Sequence, residues 1–362
     1  MDRWTKHIRR PVEREGAEKY IRLVLLSFAI SVSGTRLFLY LTGYPQLGNS
    51  TLHIAHLLWG GLLLFIGAML LIIYANRWIY RLGAILTGVG VGLFMDEVGK
   101  FITRSNDYFF PAAAPIVYAF FLLVVLLYLE IRRPNRQDAR SEMYRVFDTF
   151  EEVLDHDLDH QERADLKARL HFISEHAEHP DLSHLAEELL HFVQSDQISL
   201  VPRNPDWLER LTQKARSYEK RWFPQKRLKT ILVSGLSVLG IWSMRDLSLW
   251  LLELPAPVRL QQTLLELISA GRLGSMTGLQ WLTTETALKA ACGLILLIGA
   301  GLLVTRHDKL GLRFGYFGLL LLLTIVNLLE FYFNQFSTIV PATIQFCLLL
   351  ILIYYRRRFH PA

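Results

Sequence analysis

Leu82–Phe101 reads LGAILTGVGVGLFMDEVGKF, an apolar, glycine-rich run of twenty residues whose last six include Asp96, Glu97 and Lys100. A run of that length crosses a hydrocarbon core of about 30 Å. Each ionised side chain at that depth costs at least ~2.5–3.5 kcal/mol. Such charges persist only where they face one another or a polar cavity. The segment therefore predicts a transmembrane helix that carries part of a polar site inside the membrane.

The rest of the chain extends the pattern. Of 362 residues, 52% are hydrophobic, 12% are aromatic, and the mean hydropathy is +0.27. This is too apolar for ordinary soluble domains. Runs of roughly twenty residues, the length needed to span, occur at 22–44, 51–75, 79–102, 112–131, 229–253, 286–305, 311–333 and 339–355. The expected fold is all-α: a polytopic integral membrane protein with eight transmembrane helices. They form two parallel-repeat four-helix units, 1–131 and 229–362, around a soluble helical cytoplasmic insert, 132–228. Cys292 and Cys347 both fall in expected spans and suit small buried apolar roles rather than a disulfide framework.

Lys and Arg orient the chain. Lys6, Arg9, Arg10, Arg14, Lys19 and Arg22 precede the first span, and Arg77 and Arg81 lie between the second and third. Arg132, Arg133, Arg136 and Arg140, then Lys226, Arg227 and Lys229, then Arg306, Lys309, Arg313 and Arg356–Arg358 fall on the same side. The other side receives Arg104, Arg259 and Arg272. By the positive-inside bias both termini and the insert face the cytoplasm of a plasma (inner) membrane. The first 21 residues are charged throughout and do not read as a signal peptide. The net charge of +6 reads as topology and contact with anionic lipid at the cytoplasmic face. No basic stripe interleaved with aromatics points to nucleic acid.

The membrane halves echo each other. Ile66-Gly67-Ala68 recurs as Ile298-Gly299-Ala300, and Arg81-Leu82-Gly83 as Arg313-Phe314-Gly315, both 232 residues later. Pro111-Ala112 matches Pro341-Ala342, and Arg36 has a counterpart in Arg245. An even number of spans per half makes the repeats parallel, one of the common transporter architectures. Opposite Asp96, Glu97 and Lys100 the second half offers Asn327 and Glu330, and opposite His53 it offers Glu285.

In the insert, Pro180-Asp181 and Asn204-Pro205 read as helix starts. Leu166, Leu170 and Ile173, then Leu182, Leu185, Leu189 and Val193, have amphipathic spacing. From Glu142 to Glu188 fourteen acidic residues face four Lys and Arg, so the insert is a candidate docking surface for a cytoplasmic partner. It also holds seven of the twelve histidines, which read first as scattered members of a solvated acidic helix surface; the alternatives are a transition-metal pair at His156 and His160, four apart among Asp155, Asp157 and Asp159, and a pH-responsive surface.

The candidate site is set by depth and facing. Arg36 lies about 12 Å from the outer end of the first span at 1.5 Å per residue. His53 and His56 open the second, and Asp96, Glu97 and Lys100 occupy the outer half of the third. Gly88, Gly92, Asp96, Lys100 and Thr103 share one helical stripe, and small residues mark faces where membrane helices approach. The structural alternative is an Asp96–Lys100 pair within one helix and an Arg36–Glu97 lock between helices. The leading expectation is a transporter or channel-like protein for a small ion or polar solute, with Arg36, Asp96, Glu97, Lys100, Asn327 and Glu330 as binding residues and no cofactor. The alternatives are a metal-dependent hydrolase acting on a lipid-like substrate, with one divalent metal such as zinc on His53 and His56, and a scaffold or sensor acting through the insert. His53, His56 and Asp96 loosely resemble the zinc-dependent alkaline ceramidase group, and the resemblance implies a His-x-x-x-His on a late helix, where this chain has Asn327 and Glu330. The expected topology is checked by reporter fusions: a phosphatase active only outside the cytoplasm should work within 43–51 and be silent within 132–228. The reverse pattern would invert the orientation.

Overall fold

The computed structural model describes residues 11–43, 55–132, 138–195, 198, 200–201, 224–253 and 276–360. The described residues are helical apart from turns and one isolated bridge between Asp159 and Val201. In chain order the helices are α1 (Ala17–Thr42), α2 (His56–Ile73), α3 (Arg77–Asp96), α4 (Val98–Ile102), α5 (Ala113–Ile131), α6 (Ala139–Leu154), α7 (His160–His176) and α8 (Pro180–Gln194). They continue with α9 (Gln225–Glu253), α10 (Met276–Val304), α11 (Asp308–Leu321), a π-helical turn (Leu322–Val326), α12 (Asn327–Asn334), a 3-10 turn (Gln335–Thr338) and α13 (Ile339–Phe359).

Seven helical stretches are long and apolar enough to cross a membrane. Large apolar side chains stand outward on them, Ile72 at 74% exposure and Leu41 at 72%. Apolar surface on that scale is unfavourable in water and neutral in lipid. The seventh stretch, Asp308–Phe359, is 52 residues long, more than twice what a single crossing needs. Gln335 interrupts it with φ 48° and ψ −136°. Beyond that point α13 returns along α11, because a Cβ on Gly315 would meet Leu352 at 2.9 Å.

The chain divides into two compact units. One contains Met1–Ala29, Gly61–Val91 and Val124–Thr212. Within it α3 approaches α1 through Gly88, where a Cβ would lie 2.5 Å from the Val24 carbonyl oxygen. The insert helices enclose a core of Met143, Val146, Leu166, Leu170, Ile173, Ala186 and Val193, with Leu182 and Leu189 packed on it and Leu185 turned outward. Asp159 caps α7 in a reciprocal box with Glu162, and Pro180 opens α8. His156 sits in a left-handed turn (φ 56°) and His160 begins α7, so the two are not four apart on one helix. The expected start at Asn204-Pro205 lies outside the described residues.

The acidic character of the insert is used in the same unit. Arg14 donates to Asp148 at 3.3 Å and stacks over Tyr80. Glu15 accepts from both Arg169 nitrogens, at 2.9 and 3.1 Å. The Arg77 backbone N–H caps on Glu151 at 2.7 Å and its guanidinium reaches Glu152 at 2.5 Å. Burial pushes the Glu152 carboxyl above its ordinary range despite Arg77 beside it. Single exposed pairs contribute about 0.2–1 kcal/mol; here the bidentate Glu15–Arg169 pair joins a buried Glu142 bonded to Arg145 in one network.

The second unit contains Ile30–Gly60, Gly92–Leu123 and Gln213–Ala362. Leu232, Leu236, Leu296, Leu303, Leu319, Leu352 and Tyr355 are fully buried in it. Glycines set the helix spacing: a Cβ on Gly293 would lie 2.7 Å from the Gly240 carbonyl, and one on Gly299 would lie 2.9 Å from the Gly315 nitrogen. Gly301, two residues on, has open space. Gly299→Ala should therefore destabilise the protein by about 1–3 kcal/mol, the usual cost of overpacking, while Gly301→Ala stays neutral. Thermal unfolding of the purified variants measures both, and equal midpoints would show that α10 and α11 are not in backbone contact.

Candidate functional site

Within the second unit the backbone breaks at the charged end of Leu82–Phe101. The sequence predicts a continuous helix to 102; instead α3 stops at Asp96, Glu97 takes φ −93° and ψ 8°, and the short α4 restarts at Val98. Thr103 bonds back to the Gly99 carbonyl and accepts from the Asp107 N–H, both at 2.8 Å. The turn at 107–108 lies so close to α4 that a Cβ on Gly99 would sit 2.7 Å from the Asp107 carbonyl. Only glycine fits there, and the fold-back carries Tyr108 over Asp96.

Asp96 is completely buried and Glu97 is 1% exposed. Arg36 Nε donates to Asp96 Oδ1, and its Nη2 donates at 2.9 Å to the Asp96 carbonyl that the helix break leaves free. Tyr108 OH donates to Asp96 Oδ2 at 2.7 Å. His56 lies between the two carboxylates, with Nε2 3.0 Å from Asp96 Oδ2 and Nδ1 3.1 Å from Glu97 Oε1. Lys100 Nζ donates to Glu97 Oε1 at 3.0 Å. The Arg36 guanidinium is sandwiched between rings, 4.0 Å from the centre of Tyr108 and 3.6 Å from that of Phe336.

Arg36, His56, Asp96, Glu97 and Lys100 thus meet in one network, while His53 lies outside the described residues. The pairings differ from the expected ones: Arg36 binds Asp96 rather than Glu97, and Lys100 binds Glu97 rather than Asp96. On an unbroken helix the two carboxylates would point about 100° apart; the break at Glu97 lets both face His56. Tyr108 is also part of the site, and nothing in its spacing marks it.

Arg36 and Lys100 balance the formal charges of Asp96 and Glu97. A neutral imidazole carries one N–H, and both ring nitrogens of His56 lie within hydrogen-bond distance of carboxylate oxygens. Glu97 Oε2 is buried with no hydrogen-bond partner among the described residues. Both ring nitrogens of His56 face carboxylates, and among the described residues no group of three or more His, Cys, Asp or Glu side chains is placed to hold a metal ion.

Asn327 and Glu330 belong to other contacts of the same unit. Asn327 Nδ2 donates to Gln345 at 2.9 Å and to the Tyr118 hydroxyl at 3.4 Å. Tyr118 in turn donates to the Leu323 carbonyl at 2.5 Å, inside the π-helical turn. There the Asn327 N–H bonds Leu322, five residues back, which frees carbonyl capacity for a side chain. Glu330 accepts from Lys289 Nζ at 3.0 Å, which also donates to Asp246 at 3.1 Å.

Comparison with known protein families, curated proteins and solved structures finds no match to this chain. The site is interpreted from its own chemistry. Removing one member of a buried pair leaves the other uncompensated and costs about 3–5 kcal/mol. Arg36→Met and Asp96→Leu should each lose that much in chemical unfolding, and the double variant should lose less than the sum by about 0.5–3 kcal/mol. Strictly additive losses would mean that the pair does not interact.

Proposed function

We propose that the protein is a multi-pass membrane transporter or channel-like protein for a small ion or polar solute, working with proton exchange at the His56–Asp96–Glu97 network. The observation that carries this reading is the unmet valence. The cations of the cluster are bonded to carboxylates, whereas Glu97 Oε2 is buried and unpartnered among the described residues. An unsatisfied acceptor attracts a proton or another cation, not an anion. A broken helix beside it is the kind of irregular backbone that membrane proteins tolerate where it lines a site, and ionisable groups at membrane depth mark ion or proton pathways.

In this reading the chain crosses the membrane eight times, the reversal at Gln335 dividing Asp308–Phe359 into two passes. Both termini and the insert face the cytoplasm of the plasma membrane, with anionic lipid at the basic flanks. Parallel four-helix repeats are supported by packing as well as by sequence. Gly67 approaches the Gly83 carbonyl at 3.5 Å and Gly299 approaches Gly315 at 2.9 Å, measured from the Cβ each glycine lacks. The insert, clamped by Glu15–Arg169 and Arg77–Glu152, suits a regulatory role.

The direct assay is flux from proteoliposomes, scanned across ions at several values of pH. Glu97→Gln and His56→Gln should each lower flux at least about tenfold, the equivalent of 1.4 kcal/mol, and flatten its dependence on pH. Flux unchanged in both variants would remove these groups from the pathway.

A further inference from the structure

We infer that a second proton-binding site lies in the same unit, with Glu285 as the carboxyl that carries the proton and Lys289 as the counter-ion it shares with Asp246 and Glu330. Three carboxylates surround a single ammonium there. Glu285, Lys289 and Glu330 are 5–7% exposed. Lys289 Nζ gives hydrogen bonds to Glu330 and Asp246, at 3.0 and 3.1 Å, but lies 4.0 Å from Glu285 Oε1, beyond hydrogen-bond reach. With all three carboxylates ionised the cluster would hold two uncompensated negative charges in a low-dielectric core. Asp246 is 40% exposed and is flanked by Arg245 at 3.8 Å, so its charge is the one most readily screened. Glu330 holds the ammonium. Glu285 has neither solvent nor a bonded cation among the described residues, and a proton neutralises it.

The surroundings leave this carboxyl no other partner of opposite charge among the described residues. On α10 itself the near cation is Lys289. From α9 come Asp246 and Arg245, and from α12 comes Glu330. The charged residues of α11, Asp308, Lys309 and Arg313, belong to its first six residues, at the end where Gly311 packs against Leu303 and Asp308 binds Lys229 at 2.6 Å. A bound metal cation is a poorer occupant than a proton, because the Lys289 ammonium already stands at the focus of the oxygens.

An independent observation ties the cluster to the first site. His56 and Glu97 pair as base and carboxylate; Lys289 and Glu330 do the same, each 233 residues later. Each carboxylate is associated with a helical irregularity: Glu97 is the break between α3 and α4, and Glu330 follows the π-helical turn before Asn327. The two halves thus present the same device with a different base. When Glu285 releases its proton to water by way of the exposed Asp246, its carboxylate competes with Glu330 for the ammonium, and Lys289 shifts by one bond. The inference extends the transport reading, but its test detects the proton itself and requires no transported substrate.

Infrared difference spectroscopy of the purified full chain in lipid nanodiscs at neutral pH provides that test. The expected result is a protonated-carboxyl C=O band that disappears in Glu285→Gln, persists at a shifted position in Glu285→Asp, and is retained in Asp246→Asn. Superimposable spectra of the wild type and Glu285→Gln would overturn the assignment. So would a band that vanishes with Asp246→Asn instead. The Asp variant keeps the test decisive if the Gln variant fails to fold, since a band that does not move on shortening the side chain belongs to another residue.

Discussion

A charge that cannot reach water must find its complement inside the protein, and this constraint organises the whole second unit. Asp96 has no exposed surface, yet it accepts from a guanidinium and a phenol and faces an imidazole. Those three donors come from α1, the loop before α5, and the first residue of α2. Meeting around one carboxylate fixes the depth of α1, α2 and α3 relative to one another more tightly than apolar packing in lipid can, because lipid tails compete equally for apolar side chains. The aromatic sandwich of Arg36 between Tyr108 and Phe336 then ties this site to the 3-10 turn that reverses Asp308–Phe359.

The backbone yields to the same constraint. α3 gives up its helical hydrogen bonds at Glu97 so that adjacent carboxylates can face one ring, and the carbonyl freed at Asp96 is taken by Arg36. The π-helical turn at Leu322–Val326 is handled in the same manner, with the Tyr118 hydroxyl on the Leu323 carbonyl. Each irregularity is paired with a side-chain donor, as it must be where no water can substitute.

Much of this was legible in the sequence and some was not. Apolar run length marked the spans, and the stripe of small residues through Gly88 marked a packing face of α3, because both signals are local. Common depth brought Arg36, His56, Asp96, Glu97 and Lys100 together, because residues on short-connected helices share a level by arithmetic. The pairing within that set was not legible. It depends on a break that twenty apolar residues do not announce and on a fold-back that Gly99 permits. Tyr108, Phe336 and Lys289 were missed for a related reason: each acts through tertiary contact with a partner far away in sequence or around a turn. The acidic insert was visible as composition, but its use against Arg14, Arg77 and Arg169 is a matter of docking.

That docking bears on the order of events during synthesis. Arg14 and Arg77 are made well before Asp148, Glu151 and Glu152, and a chain that emerges from its N-terminus folds in that direction. In the proposed orientation these arginines first serve as free cations that hold the inner ends of α1 and α3 at the cytoplasmic face while the helices insert. Only after the spans up to Ile131 have emerged, four of them beyond Arg14 and two from Arg77 onward, do their carboxylate partners arrive and neutralise them. The same side chains are thus topological signals early and docking contacts late, and the acidic insert converts a positive rim, once its work of orientation is finished, into a joint.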